Sequence, residues 1–565
     1  MKKLLSILLS IILILAVLPV GTFAADEDTL NITVANDLHL DLVSARAEKV
    51  EVTNTINEDY PHASNGGQMF YESEAIIDSF LNSVAENDSD YVLLVGDLTH
   101  HGSADEHKTL AGKLADFEAE TGKKVFVSPG NHDLRESTVE EFKSYYNQFG
   151  YSDALTVHGE NGSYVADIND EYRLIVIDAS IPGEDRHGMN DELLSWISAQ
   201  SEQATAQDKK MIAAIHHNFV EHIFLGGTLY NGSVIKEKEY GMGELFAQLG
   251  IMYTFTGHTH QRDVASFTSE DGTVIYSVVT GSLNTYPCPY RNVSFGDKVE
   301  IKTEKVTSID TSVLPSGITD VALEKAKSDF QAYAKNCTYT GLKYRLYACT
   351  TAEGLLTLIK IEDEGMREIL AKIGSRLEKV LNMPIYEKDA SVEGESIETY
   401  AQMYKTVLPE TEFKTILDLL TYFYQGQSEG DEYNPAYANE VILLTRTVAV
   451  ALNYTLADVS DEEYAKVLSF ASELLGVKIP VDLFKYVGSG IKRFEGCEIF
   501  VTTAVIPFIR EFGTDKGPAD NDVTLPGYGQ FGEKAEVSIF DNFIKIIKTL
   551  LEFLRTLMAL VPAKR

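Results

Sequence analysis

Five short stretches carry side chains able to ligate metal ions: Asp37-Leu38-His39, Gly96-Asp97, Gly130-Asn131-His132-Asp133, His216-His217 and Gly257-His258-Thr259-His260. Their donors are carboxylate oxygens, an amide oxygen and imidazole nitrogens, with no cysteine among them. Mixed oxygen and nitrogen donors suit Mn, Fe, Co, Ni or Zn. The lack of thiolate argues against a purely structural zinc site. A hydrolytic centre with two cations fits this set. Asp97 offers two oxygens that can bridge a pair of metals, and Asn131 adds a neutral donor that limits negative charge. Alternate residues of an extended chain point the same way. Asp37 and His39 are therefore expected to reach one cation, and His258 and His260 to repeat that geometry with one imidazole per metal. Gly130 is expected to let the chain turn sharply. Each stretch alone is a common surface or core feature; the set gains its meaning from order and placement.

The elements that must hold these side chains are short apolar runs. Leu30–Ala35, Tyr91–Val95, Lys124–Val127, Arg173–Ile177, Met211–Ile215 and Ile251–Phe255 are rich in Val and Ile and read as buried strands. Glu72–Glu86, Glu106–Glu120 and Asn190–Gln207 have apolar faces at helical spacing, and Val274–Thr280 and Val299–Val306 add β-rich segments. Alternation of this kind indicates a layered α/β domain, which binds ligands at the carboxyl ends of its strands. Most of the ligand stretches fall at such ends.

After residue 307 the pattern becomes helical, with helices expected over Val321–Ala334, Ala352–Leu381, Ser396–Tyr404, Glu410–Tyr424, Asn439–Leu456, Asp461–Leu475 and Pro480–Phe494. Residues 308–512 are thus read as an all-α bundle domain. Residues 513–537, rich in Gly, Pro and Asp, read as a linker. Residues 538–565 then read as an amphipathic helix, with Phe540, Phe543, Ile547, Leu550, Leu554, Leu557 and Val561 on one face. It is suited to lie on a membrane surface, to pack on the bundle or to pair with another copy.

At the other end, Lys2 and Lys3 precede the apolar run Leu4–Val20 and the small-residue end Thr22-Phe23-Ala24. This is the pattern of a signal peptide over residues 1–24, with a retained anchor as the alternative. Both make residues 25–307 the catalytic part of an exported, extracellular or cell-surface protein. The 565-residue chain carries a formal charge of −37, which repels a nucleic-acid backbone and favours a small anionic substrate drawn in locally by the cations. Cys288, Cys337, Cys349 and Cys497 form no CxxC motif. They are either disulfide-paired, with Cys337 to Cys349 the shortest loop, or free buried thiols.

The order D-x-H, G-D, G-N-H-[DE], H, G-H-x-H over residues 30–305 resembles the calcineurin-like metallophosphoesterases. The resemblance implies a four-layer α/β/β/α sandwich. It assigns Asp37, His39, Asp97 and His260 to a first metal, and Asp97, Asn131, His216 and His258 to a second. It takes His216 rather than His217, turns His132 toward the substrate and gives Asp133 the task of orienting it. The cofactors implied are two divalent ions, or Fe(III) with a divalent ion, drawn from Mn, Fe and Zn. Thr280-Gly281-Ser282-Leu283 and the segment from Tyr286 to Arg291 are similar to exported bacterial cyclic-nucleotide phosphodiesterases with a helical C-terminal domain. The expected activity is hydrolysis of small phosphodiesters, cyclic nucleotides first, by a hydroxide bridging metals ~3.5–4 Å apart. A phosphomonoesterase or nucleotidase, and an inert cell-surface binding protein, are the alternatives. Residues considered for the leaving-group pocket are His100, His101, His217, Tyr286, Tyr290 and Arg291.

Overall fold

The structure is a computed structural model. It describes residues 29–180 other than 48, then 188–220, 222, 241–358, 363–430, most of 437–469, and 518–528. The stretches expected to form a signal peptide, the C-terminal amphipathic helix, the helix at Pro480–Phe494 and most of that at Asp461–Leu475 lie outside the described residues.

Two sheets form the first domain. The strands are β1 (Leu30–Ala35), β2 (Tyr91–Val95), β3 (Lys124–Ser128), β4 (Thr156–Val157), β5 (Tyr164–Asp167), β6 (Tyr172–Ile177), β7 (Lys210–Ile215), β8 (Tyr253–Thr256), β9 (Asp263–Thr268), β10 (Val274–Val279), β11 (Pro289–Phe295), β12 (Lys298–Lys305) and β13 (Val523–Pro526). One sheet runs β13-β12-β11-β1-β2-β3 and the other β4-β5-β6-β7-β8-β10-β9. Within them β1, β2 and β3 are parallel neighbours, as are β6, β7, β8 and β10.

Period-two alternation divides the second sheet's side chains between two cores. Tyr172, Leu174, Val176, Ile212, Ala214, Tyr253 and Phe255 join a core with Ile32, Val34, Leu93 and Phe295 of the first sheet. Their neighbours Ile175, Ile177, Met211, Ala213 and Ile215 face Leu193, Ile197, Met242 and Phe246. These last residues lie on helices α4 (Asp191–Thr205) and α5 (Gly241–Gln248). On the outer face of the first sheet, α1 (Ser73–Ala85) contributes Ile77 and Phe80, and α2 (Ala104–Thr121) contributes Leu110 and Leu114. The short helix α3 (Val139–Tyr145) follows β3. The result is the expected four-layer α/β/β/α sandwich.

Helices continue as α6 (Asp320–Ser328), α7 (Phe330–Thr350), α8 (Ala352–Leu358), α9 (Glu364–Leu381), α10 (Ile397–Met403), α11 (Ile416–Glu429) and α12 (Asn439–Thr455). Val380, Ile397, Ile416, Leu419 and Leu443 give this module a core of its own. Its first part belongs elsewhere: Ala322, Phe330, Tyr333 and Cys337 complete the core of the sheets. The core of the sheets therefore reaches past residue 307 into α7.

Several expectations are corrected here. The single helix read over Val321–Ala334 is two, because Asp329 is non-helical (φ −157°, ψ 86°) and its side chain accepts from Ala332 N as an N-cap. Asp363 likewise caps a separate α9 by accepting from Met366 N. The helix expected from Glu410 begins at Ile416, where Thr415 and Asp418 form a capping box, and ends at Gly430 with φ 60°. The linker contains β13, which pairs antiparallel with β12, Leu525 opposite Val299. A four-residue edge strand is too short for its alternation to stand out from Gly and Pro neighbours. Cys288, Cys337 and Cys349 are free thiols. Cys337 and Cys349 stand twelve residues apart on α7, ~18 Å along a helix axis and far beyond disulfide reach.

Candidate metal centre

The ligand stretches are the loops that leave β1, β2, β3, β7 and β8. β1 ends at Ala35 and β8 at Thr256, so Asp37, His39, His258 and His260 all lie beyond the extended chain. They instead take left-handed conformations: φ is 52° at Asp37, 46° at His39, 48° at Asp97, 70° at His258 and 57° at His260. The extended geometry expected for these residues is therefore replaced by left-handed turns. Positive φ in non-glycine residues is uncommon and persists where surrounding structure over-determines it. Here that structure is a set of backbone hydrogen bonds, from Asp37 N to Gly96 O (3.0 Å) and from His39 N to Asp97 O (2.9 Å).

Gly130 is needed for a close approach and not for a turn: a Cβ there would collide with the backbone nitrogen and carboxylate of Asp97. One at Gly257 would lie 2.6 Å from Asp37 Oδ2.

Two donor groups result. Asp37, His39 and His260 bring ligand atoms within 4.8 Å of one another, and so do Asp97, His216 and His258. Within the first, His39 Nε2 lies 3.1 Å from His260 Nε2, and His260 Nε2 lies 3.2 Å from Asp37 Oδ1. Asp97 Oδ2 stands between the groups, 3.2 Å from His216 Nε2 and 3.8 Å from His39 Nε2. Asn131 Oδ1 is 3.0 Å from His258 Nδ1, which joins it to the second group. His216 directs Nδ1 to Val95 O at 3.0 Å, fixing the ring with Nε2 inward, and that buried Nε2 has no hydrogen-bond partner. His217 is packed beside His258, ring centroids 4.6 Å apart, and belongs to neither group.

Electrostatics agree with a site built for cations. Burial raises the Asp37 carboxyl, but the imidazoles of His260 and His216 outweigh it and the net shift is downward. Asp97 falls well below the ordinary carboxylate range, His216 and His132 overcoming burial. Burial lowers His216, yet Asp97 and Asp37 push it up to about 10, while burial takes His258 down to about 3. With ordered carboxylate, amide and imidazole donors and a buried unpartnered nitrogen, these residues fit a pair of divalent cations.

His132 is beside the centre, its Nε2 3.9 Å from Asp97 Oδ2. Its orienting partner is the carbonyl of His100, 2.7 Å from Nδ1, with Arg135 Nη1 also 2.8 Å away. Asp133 does not perform that task. Its carboxylate accepts from Leu98 N (3.1 Å), Thr99 N (2.9 Å), Thr99 Oγ1 (2.9 Å) and Gly130 N (2.9 Å), tying the loops after β2 and β3 together. Burial, then the charge of Asp97, pushes it up to about 7 against the pull of those donors.

The other candidates are placed as follows. Arg291 is wholly buried and donates to Asp520 O (2.6 Å) and Val279 O (2.8 Å), anchoring the segment before β13. Tyr290 packs its ring on Phe80, centroids 5.2 Å apart. Tyr286 faces the helical module, under Lys335 Nζ at 5.3 Å from its ring and with its backbone nitrogen on Thr338 Oγ1. His101 sits at the rim, 2.9 Å from Glu106. Sequence reasoning missed the supports of the Asp37 loop: Ser282 Oγ donates to Asp37 O (2.8 Å) and Asn284 Nδ2 to His39 O (3.4 Å). The polar Ser282 and Asn284, two apart just beyond β10, were the available signal.

Residues 30–262 match the family model of the calcineurin-like phosphoesterases. The chain is 28% identical to a probable glycerophosphodiester phosphodiesterase of Arcobacter nitrofigilis over 163 residues, 28% of this chain and 54% of that protein. It is 30% identical to a probable cyclic nucleotide phosphodiesterase of Rhodococcus erythropolis over 128 residues, 23% of this chain and 38% of that one. The alignments thus span about half or less of those relatives' length. A dimetal phosphatase from Danio rerio aligns over 49% of this chain and 96% of its own, with TM-score 0.34 and 11% identity. The matched stretch, residues 30–262, contains every residue of the two donor groups.

Proposed function

We propose that the protein is a metal-dependent phosphoester hydrolase acting on small phosphodiesters, with cyclic nucleotides the first substrates to test. The observation that carries this reading is Asp97 Oδ2 lying between His216 and His39, each the inner member of a separate donor group. Asp37, His39, Asp97 and His260 would hold one cation, and Asp97, Asn131, His216 and His258 the other. When bound, such a pair supplies Lewis acidity at the phosphoryl oxygens and lowers the pKa of water.

The chain's own groups do the rest. Asp133 fixes the loops that present Asp97 and Asn131, through Leu98, Thr99 and Gly130. Burial is the main cause that lowers the His132 pKa, against the pull of Asp97. Nδ1 is engaged between His100 O and Arg135 Nη1, which leaves Nε2 on the side of the donor groups. An anionic ester beside it favours the imidazolium, whose Nε2–H can then protonate the leaving oxygen. Such general acid help is worth ~10²–10⁴-fold.

The curated relatives' names support diesters over monoesters. The test is hydrolysis of bis-(4-nitrophenyl) phosphate against 4-nitrophenyl phosphate by the full chain loaded with Mn²⁺, followed by a cyclic-nucleotide panel. Faster diester cleavage is expected. Preference for the monoester would replace this reading with a phosphomonoesterase, and no cleavage of either would leave a binding protein.

A further inference from the structure

A third cluster with metal-binding chemistry lies on the rim, sharing no residue with the two donor groups. Asp41, His100 and His101 bring one ligand atom each within 4.8 Å of one another. We propose that these three residues form an additional site for a divalent transition cation such as Zn²⁺, beside the dinuclear centre.

The loops that present them are pinned in register. His100 N donates to Leu40 O at 3.0 Å, and Leu40 pairs with Thr99 in an isolated parallel bridge. Each side chain is also held from behind, as metal ligands require. Asp41 Oδ1 accepts from Ser44 N (2.8 Å) and Oδ2 from Ser44 Oγ (2.9 Å). Glu106 takes His101 N at 3.0 Å and lies 2.9 Å from His101 Nδ1, and Glu106 is itself locked in the capping box of α2. His100 rests on Phe70, ring centroids 4.1 Å apart.

The observation pointing to a ligand is His100 Nδ1. It is buried and has no hydrogen-bond partner, an unfavourable condition while nothing satisfies the group. Nothing in the two-cation reading uses that nitrogen. Two imidazoles with one carboxylate suit Zn, Co, Ni or Mn. Donors around a tetrahedral zinc stand ~3.3 Å apart, so the cluster must contract on binding. His101, 35% exposed, can make that movement and leaves an entry path from solvent. The added charge would sit near His132, whose ring centroid is 5.1 Å from that of His100.

Zinc per chain, measured by mass spectrometry after chelator stripping and dialysis of the full chain against Zn²⁺, tests the proposal. Asp41→Ser removes the carboxylate but keeps a capping oxygen for Ser44, and His101→Gln removes an imidazole from the opposite loop. Each variant is expected to bind one equivalent fewer than the wild type, with an unchanged melting temperature in the metal-free state. In an Asp97→Ala background, which disables the pair, one equivalent should remain and should disappear when Asp41→Ser is added. If neither variant changes the stoichiometry, or if either strips the whole complement, the separate site does not exist. The difference between chains judges this site, and the remainder judges the pair.

Discussion

In the two-sheet domain, Asp37, His39, Asp97, His258 and His260 all hold positive φ, whereas among the described residues of the helical module only Lys405 does so outside glycine. The four His/Asp clusters found among the described residues also lie in the first domain. The module instead shows satisfied helix starts, such as Thr415 with Asp418, and an apolar core of Ile397, Ile416, Leu419 and Leu443. Both regions are well packed, but among the described residues only the first holds strained backbone around buried ionisable groups. Strain of that kind survives where neighbouring structure over-determines it. The contrast teaches that packing alone marks a fold, while strain joined to unpartnered donors marks chemistry.

The contrast can be broken by single substitutions. Asp97→Ala should have the largest effect: metal analysis should show both ions of the pair lost, and assays should show turnover abolished. Survival of either would mean that Asp97 does not bridge. His132→Ala should lower kcat by ~10²–10⁴-fold while metal content stays at the wild-type value. A full rate would remove His132 from the reaction. Leu443→Ala, at a fully buried position of the module core, should destabilise by about 2–5 kcal/mol in denaturant titration. Turnover per folded molecule should stay unchanged, and a parallel loss of kcat would show that the module takes part in catalysis. Thr415→Ala should cost about 1 kcal/mol, the usual value of an N-cap, again with KM and kcat unaltered.

Strand positions were legible because buried parallel strands must be nearly continuous runs of Val, Ile and Leu; β2 is Tyr91–Val95, as read. The donor groups were legible as a set because such side chains rarely recur together at successive strand ends. Helix breaks at Asp329 and Asp363 were not, since a lone Asp in an amphipathic pattern reads equally as a solvated face. Arg291 misled for a related reason. A basic residue in a Tyr- and Pro-rich segment suggests a substrate pocket, and only burial against Asp520 O and Val279 O shows it to be an internal anchor.

The amino-acid sequence by itself determined the donor set, the α/β layering of the first domain and the helical character of the second, because these depend on residue type and on periodicity along the chain. Tertiary structure alone decided that Asp37 and His39 turn inward through left-handed backbone, that Asp133 binds loops and not His132, and that β13 returns from residue 523 to close the first sheet. Those outcomes depend on contacts between residues far apart in the chain, such as Asp37 with Gly96 and Val299 with Leu525, which no local pattern encodes.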